Sequence, residues 1–331
     1  MSPFGLASSH CQLELTVARY TLSYSPLPPG APEVLGVEFS GEVVAYEPGP
    51  DASSSHSKAS PEWRIGDAVF GLTLGGCYAQ YAVAQARMTL PKPAHLSHEQ
   101  AASIPEAWFT AFQALRLLSN VQRGDDVLIH AGASGVGLAA IQLAREMGAD
   151  KVYVTAGSQE KIELCKSVGA TEGINYKTAR SSDDSSGKEG GGWPAELRRL
   201  TDGKGVDVIM DFLGASYLRG NLDSLKIDGR LTLQGLMGGS TLPADFDISA
   251  LLGKRLSVRG SMLRSRSLEY QSELVQAFVR EGALEAITHA DEEQRRHRLV
   301  VHKVYDWKDV KAAHDDMEAN KNVGKLILTV D

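Results

Sequence analysis

Hydrophobic and polar positions follow two rhythms along the chain, and the change falls near residue 107. Between residues 34 and 83, apolar residues alternate with polar ones in short runs separated by Gly and Pro. Residues 37–44, 67–71 and 78–83 read as strands, with a turn at 63–67. A helix begins around 99–105, and residues 107–118 continue as an amphipathic helix. Strand and helix then alternate. Strand patterns at 127–130, 151–155, 173–176, 206–211 and 230–234 are interleaved with helical patterns after 137 and at 159–168 and 193–201, and residues 256–260 offer a sixth strand. The tail holds helical stretches at 268–281 and 307–319 and a final strand at 325–330. Ser-rich residues 51–60 read as a mobile loop insertion, and low-complexity residues 181–192 as a disordered surface insertion. The pattern predicts an α/β protein: a doubly wound parallel sheet inserted after a β-rich segment.

The sharpest local signal follows the strand at 127–130. The chain there reads Ala131-Gly-Ala-Ser-Gly-Val-Gly137 and runs into a helix with apolar Leu138, Ile141 and Leu143. A strand, a turn without bulky side chains and a helix N-terminus form a cradle for a dinucleotide pyrophosphate, because unpaired N–H groups face the phosphates and Gly admits them closely. Glycines also punctuate ordinary turns; the strand before and the helix after favour the phosphate reading. The second strand ends Val154-Thr-Ala-Gly-Ser158, with Ser158 lying 21 residues past Gly137. An acid at this tip would bind the free ribose 2′-hydroxyl of NAD, whereas a hydroxyl and a cation suit the 2′-phosphate of NADP. Ser158, Lys161 one turn later and Tyr176 at the end of the third strand favour NADPH. The alternative makes Ser158 a helix cap and Lys161 a solvated side chain, and Glu160 is discordant with a phosphate site.

Composition narrows the picture further. A length of 331 residues suits two domains, and hydrophobic and charged fractions of 43% and 23% are ordinary for a globular chain. The net charge of −7 argues against a nucleic-acid or anionic-membrane partner. No apolar run approaches the roughly 20 residues that span a bilayer. Residues 1–10 lack a basic region and an unbroken apolar stretch, so a cytoplasmic protein without a signal peptide is expected. The three cysteines, Cys11, Cys77 and Cys165, are widely spaced, which suits free thiols and excludes a four-cysteine zinc site. Of nine histidines only His95 and His98 lie close together, in a loop leading into a helix, and they read as solvated; no metal is expected.

With these features assembled, the chain resembles the zinc-free branch of the medium-chain dehydrogenase/reductase superfamily, the zeta-crystallin-like NADPH:quinone oxidoreductases. The resemblance rests on Leu35-Gly-Val-Glu-Phe-Ser-Gly41, Ala102-Ser-Ile-Pro-Glu-Ala-Trp-Phe-Thr-Ala-Phe112, the turn after residue 130, Gly235-Leu-Met-Gly-Gly239, Leu263-Arg-Ser-Arg266 and Met317-Glu-Ala-Asn-Lys-Asn-Val-Gly-Lys325. Zinc-dependent members carry a His where Val37 stands, a catalytic Cys and a four-cysteine lobe. The resemblance implies a Rossmann-type cofactor domain over 107–252 and a β-rich, GroES-like substrate domain over 1–106. Residues 253–331 would supply the last cofactor-sheet strand and return to the substrate domain. It implies that Ala133, Ser134, Gly135, Val136 and Gly137 hold the pyrophosphate, and that Gly157, Ser158, Lys161 and Tyr176 hold the adenosine phosphate. Thr110, Gly235, Leu236, Met237, Gly238, Met262, Leu263 and Arg264 would line the nicotinamide half, while Asn322 and Lys325 would close over the cofactor. Tyr78, Tyr81 and Ser134 are pocket-wall candidates.

Plainer roles stand beside these. Thr110 could bond a backbone carbonyl, Met262 and Leu263 could be core, Arg264 and Arg266 could form a solvated basic edge, and Trp108 reads as core rather than substrate wall. The family also opens with strands and a loop that residues 12–17 do not match, so the substrate domain is expected to be incomplete at its N-terminus. The function expected is zinc-independent hydride transfer from NADPH to a small-molecule quinone or enone acceptor, in a homodimer joined through an edge near residues 256–262. Enoyl or alkenal reduction is a close variant. A catalytically impaired NADPH-binding protein is the alternative from another class.

Overall fold

A computed structural model of the chain describes residues 11–14, 31–47, 62–179 and 192–330. The Ser-rich insertion at 51–60 and all of the second one except Gly192 lie outside the described residues. The strands in chain order are β1 (Cys11–Glu14), β2 (Glu38–Glu42), β3 (Ala68–Leu72), β4 (Thr89–Pro91), β5 (Asp126–Ile129), β6 (Lys151–Ala156), β7 (Glu172–Asn175), β8 (Val206–Asp211), β9 (Leu225–Leu233), β10 (Ser257–Gly260), β11 (Val301–Asp306) and β12 (Lys325–Val330). The α-helices are α1 (His98–Ala102), α2 (Pro105–Phe112), α3 (Gly135–Glu146), α4 (Gln159–Ser167), α5 (Trp193–Leu200), α6 (Ala215–Ser224), α7 (Ser249–Gly253), α8 (Leu268–Arg280), α9 (Ala283–Thr288) and α10 (Val310–Glu318). Two compact units result: Met1–Phe109 with Leu263–Asp331, and Thr110–Met262.

The unit Thr110–Met262 is a six-stranded sheet in the order β10-β9-β8-β5-β6-β7, with every neighbouring pair parallel. Numbered from β5, this is 3-2-1-4-5-6 when read from β7. In that order the switch point lies between β5 and β8, where a dinucleotide fold binds its ligand beyond the carboxyl ends of the strands. Parallel strands covered on both faces need continuous apolar runs, and Val127, Leu128 and Ile129 of β5, like Val208, Ile209 and Met210 of β8, are fully buried. Helix α3 starts where Ser134 leaves extended backbone and its Oγ accepts from Gly137 N (3.0 Å). Ala139, Ala140 and Ala144, all buried, accompany Ile141 and Leu143 in the core. Each fully buried Leu or Ile there contributes about 1.5–3 kcal/mol.

The other unit carries a mixed six-stranded sheet in the order β11-β12-β1-β2-β3-β4. Its core gathers Phe39, Val69 and Cys77 with Tyr305, Leu326 and Leu328 from the far end of the chain. Two expectations are corrected here. Residues 11–14, in a segment read as not matching the family's opening strands and loop, form β1, paired antiparallel with both β12 and β2. Residues 78–83, read as a strand, form no ladder; they are preceded by backbone bonds from Gly76, Cys77 and Tyr78 to the 34–36 segment. Burial alternates only at the end of this stretch, where Ala82 is buried between exposed Tyr81 and Val83; Gln80 and Tyr81 are both exposed. Trp108 is buried against the His297 ring, as expected for core.

Candidate cofactor site

The turn between β5 and α3 is built to admit something close to the backbone. Ala131 holds a left-handed φ of 49°, and a Cβ added to Gly137 would stand 2.5 Å from the Ala131 carbonyl and 2.6 Å from that of Gly132. Ser134 N donates to Ala131 O, and the Ser134 side chain takes the Gly137 N–H. Among the described residues the N–H groups of Gly135 and Val136 have no acceptor, as the first turn of a helix dictates. These groups and the positive end of α3 suit a pyrophosphate.

At the ends of β6 and β7 the structure brings Gly157, Ser158, Lys161 and Tyr176 together. A Cβ on Gly157 would meet Tyr176 Oη at 2.8 Å and Lys177 Cε at 3.3 Å, so Gly is what lets these side chains approach. Ser158 caps α4, its Oγ accepting from Lys161 N (3.4 Å), and it also donates to the exposed Glu160 carboxylate. That bond and the Glu160 N–H hold the Glu160 carboxyl below the ordinary range. Burial, and then the Lys177 ammonium, hold Lys161 below the usual lysine range. Two ammonium groups that repel one another make a site that an anion relieves. Lys177 was not anticipated; the signal available was a second cation directly after Tyr176.

The third cluster follows β9. Met237 N donates to Phe212 O (3.0 Å) and Gly238 N to Leu213 O (2.7 Å), so residues 235–238 lie on the turn after β8. A Cβ on Gly238 would run into Ser216 Oγ. Among the described residues four buried polar atoms of this unit lack a partner: Thr110 Oγ1, Asp126 Oδ1, Arg230 Nε and Gln234 Nε2. Asp126 and Arg230 are held through their other atoms by Lys226 and Asp125, which leaves Thr110 and Gln234 as the side chains with an unmet bond to offer. Thr110 therefore does not bond a backbone carbonyl, and Gln234, beside Gly235, joins the candidates. A buried polar atom without a partner is costly, and a ligand amide or hydroxyl supplies the missing bond.

The remaining predicted residues fall elsewhere. Met262 ends this unit and is exposed, whereas Leu263 begins the other unit and is core. Arg264 is not a solvated edge: its Nε and Nη2 both donate to Leu74 O (2.9 and 2.6 Å). Arg266 lies over the Tyr270 ring. In that same unit Tyr78 Oη stands 3.5 Å from His314 Nε2, and Tyr81 is exposed. Asn322 Nδ2 donates to Gly324 O (3.3 Å). Lys325, expected to close over a cofactor, is buried with its Nζ 2.6 Å from Glu38 Oε1, because an ammonium inside a sheet needs a carboxylate partner. His98 is not simply solvated either, since its Nδ1 lies 2.9 Å from the buried Ser40 Oγ. No group of three or more His, Cys, Asp or Glu side chains is placed to hold a metal among the described residues. No helix among them is long and apolar enough to cross a membrane.

This strand order and this turn are those of a Rossmann-type, dinucleotide-binding α/β fold. Residues 135–280 match the zinc-binding dehydrogenase family model. A quinone oxidoreductase from Rattus norvegicus is 30% identical over 295 residues, covering 86% of this chain and 80% of the rat protein. The chain belongs to the medium-chain dehydrogenase/reductase family. It is also 33% identical over 197 residues to the phthioceranic/hydroxyphthioceranic acid synthase of Mycobacterium tuberculosis, which covers 59% of this chain but only 8% of that synthase. Among solved structures, a mycobacterial protein complexed with NADPH superimposes with a TM-score of 0.77 at 28% identity, over 98% of this chain and 90% of that one. An NAD-dependent alcohol dehydrogenase gives 0.75 at 29% identity, over 100% and 93%.

Proposed function

We propose that the protein is an NADPH-dependent, zinc-independent oxidoreductase that reduces a quinone or a similar conjugated carbonyl compound. The observation that carries the cofactor choice is the tip of β6, where Ser158, Lys161 and Lys177 converge and the Glu160 carboxylate turns to the Ser158 hydroxyl. The rat quinone oxidoreductase and the NADPH complex of the mycobacterial relative support this reading; the likeness to an NAD-dependent enzyme is why the β6 tip must decide it. Val37 in place of a ligating His, and three cysteines in all, support zinc independence.

The bound nicotinamide would supply the hydride. The chain's own part is to hold the pyrophosphate on the Gly135 and Val136 N–H groups and the 2′-phosphate between the two lysines. Thr110 and Gln234 would fix the nicotinamide end. Positioning of this kind is the protein's main lever on hydride transfer. A quinone needs no dedicated acid, since its reduced oxygen can take a proton from solvent. A cytoplasmic homodimer, paired through the exposed β10 edge, belongs to the same proposal.

The test is NADPH oxidation by purified protein with ortho- and para-quinones, run beside an enoyl thioester. Quinone turnover supports the proposal; binding without turnover of any acceptor overturns it in favour of a binding protein. Lys161→Glu should weaken NADPH about 10- to 100-fold while changing NADH by less than about threefold, because it removes a charge-assisted contact to phosphate. Equal loss of both nucleotides refutes the 2′-phosphate assignment.

A further inference from the structure

A chain of buried polar side chains runs beneath the proposed cofactor cradle and belongs to none of its walls. Thr155 at the end of β6, His130 after β5, Asn221 on α6 and Asp211 at the end of β8 are all buried. His130 Nδ1 lies 3.0 Å from Thr155 Oγ1, and its Nε2 lies 2.8 Å from Asn221 Oδ1. Asn221 Nδ2 donates to Asp211 Oδ2 (3.1 Å). That last bond fixes every other direction. An Asn whose amide nitrogen serves the carboxylate offers its oxygen to His130, so Nε2 carries the imidazole proton and Nδ1 accepts from the Thr155 hydroxyl. The rings of Trp193 and Tyr217 stand edge-on to the imidazole at 4.6 and 4.9 Å between centroids and leave it little room to turn.

Asp211 is where the chain meets the cradle. Its Oδ1 accepts from Leu213 N (2.7 Å) and its Oδ2 from Gly214 N (3.0 Å), clamping a turn in which Gly214 holds a φ of 75°. The carbonyls of that turn, Phe212 O and Leu213 O, receive Met237 N and Gly238 N. At the other end, Thr155 O receives Gly132 N of the pyrophosphate turn. One hydrogen-bonded path therefore joins the loop after β9 to the turn after β5.

We propose that Asp211 is a positioning residue that, through the Leu213 and Gly214 amides, holds the 235–238 loop where it can line the nicotinamide, in register with the pyrophosphate turn. The proposal rests on the cofactor reading given above. Ionised, Asp211 accepts all three hydrogen bonds as charge-assisted ones; a proton on the carboxyl weakens each of them and adds a donor among donors. Burial pushes its carboxyl up to about 6, against the pull of the Leu213, Gly214 and Asn221 donors. The titratable groups facing this network are His130 from the end of β5, lowered to about 4 by burial, and Tyr217 from α6, raised to about 12 by burial, then Tyr176 and Asp211. Neither changes charge between pH 5 and 8, so the titration of the clamp in that window belongs to Asp211.

Two measurements test this. In the unmodified protein, amide hydrogen exchange at Met237 and Gly238, corrected for intrinsic rates, should lose about tenfold protection as pH falls from 7.5 to 5, with a midpoint near the Asp211 pKa, while β5 amides keep theirs. Unchanged protection at residues 237–238 overturns the proposal without any variant having to fold. In Asp211→Asn, NADPH affinity should fall about tenfold, but affinity for 2′-phosphoadenosine diphosphoribose, which lacks the nicotinamide, by less than about twofold. Equal loss of both ligands, or loss of neither, overturns the positioning role while leaving the cofactor reading in place. Failure of the unmodified protein to bind either ligand removes the cofactor reading, and this proposal with it.

Discussion

The two units differ in how many buried polar groups they leave open and in where these lie. In the mixed-sheet unit, Glu38 gives one carboxylate oxygen to Lys325 and the other to Glu106 N (2.7 Å), while Ser40 donates to Val69 O (3.0 Å) and meets His98. Among the described residues Trp63 Nε1 is the exception there. In the parallel-sheet unit, Asp126 Oδ1 and Arg230 Nε are open on side chains already held by ion pairs, whereas the Gly135 and Val136 amides, Thr110 Oγ1 and Gln234 Nε2 are open with no such hold among the described residues. Saturated polar groups bind the architecture to itself; open ones at the carboxyl ends of parallel strands are reserved for something that arrives later. The difference separates residues that hold the fold from residues that hold a ligand, and it moves Lys325 from the second group to the first.

The largest expected effect breaks that contrast from the structural side. Glu38→Gln leaves the Lys325 ammonium buried without its counter-charge and should cost about 3–5 kcal/mol in urea unfolding. Adding Lys325→Met should recover most of the loss, since a neutral pair has no charge to strand. A single-variant cost below about 1 kcal/mol would mean that water reaches the pair and that Lys325 is free to serve a ligand after all.

Next in size is an opposed pair of pH effects inside the parallel-sheet unit. His130 has its pKa lowered from 6.5 to about 4, so the stability linked to it is full above pH 6.5 and lost as pH falls toward 4. Asp211 has its pKa raised from 3.8 to about 6, so the folded state takes up a proton first and gains stability as pH falls over that range. At about 1.4 kcal/mol per pH unit, each is on the order of 3 kcal/mol, and in the unmodified protein they nearly cancel. Asp211→Asn should therefore make stability fall steeply from pH 6.5 to 4, and His130→Gln should make it rise. Parallel pH profiles for the two variants would show that the groups do not titrate in the sequence their surroundings dictate.

What the sequence made legible follows the same division. Strands buried on both faces are largely apolar runs, so β8 in the parallel sheet and β12 in the mixed sheet are legible to the residue, and the glycines of the pyrophosphate turn are visible because their constraint is local. Helix α6 was not visible. Its Ala-Ser-Tyr-Leu-Arg-Gly-Asn-Leu-Asp-Ser has no apolar stripe, and Gly220 is there because a Cβ would press on the Trp193 ring at 2.8 Å. The alternation of Cys11-Gln-Leu-Glu was present but too short to stand out from the residues around it, whereas β1 is defined by pairing with a strand more than 300 residues away. The His130–Asn221–Asp211 path was hidden for the same reason, since its members meet across 91 and 10 residues and no spacing announces them. Lys177 was missed for a different one: a lysine after a strand is usually a solvated end, and only its approach to Gly157 and Lys161 gives it a role.

The smallest effect tests the ligand side at its one discordant residue. Glu160 stands in the first turn of α4, where a carboxylate favours the positive helix end, and it takes a hydrogen bond from Ser158. A 2′-phosphate would compete with it for that hydroxyl and be repelled by its charge. Glu160 is fully exposed, so solvent and salt screen the repulsion strongly. Glu160→Gln should then tighten NADPH by only about two- to threefold, leave NADH unchanged, and lose its advantage in high salt. A gain for NADH as large as that for NADPH would place Glu160 against the shared adenosine rather than the phosphate. A loss for NADPH would mean that the carboxylate orients Ser158 toward the phosphate instead of competing with it.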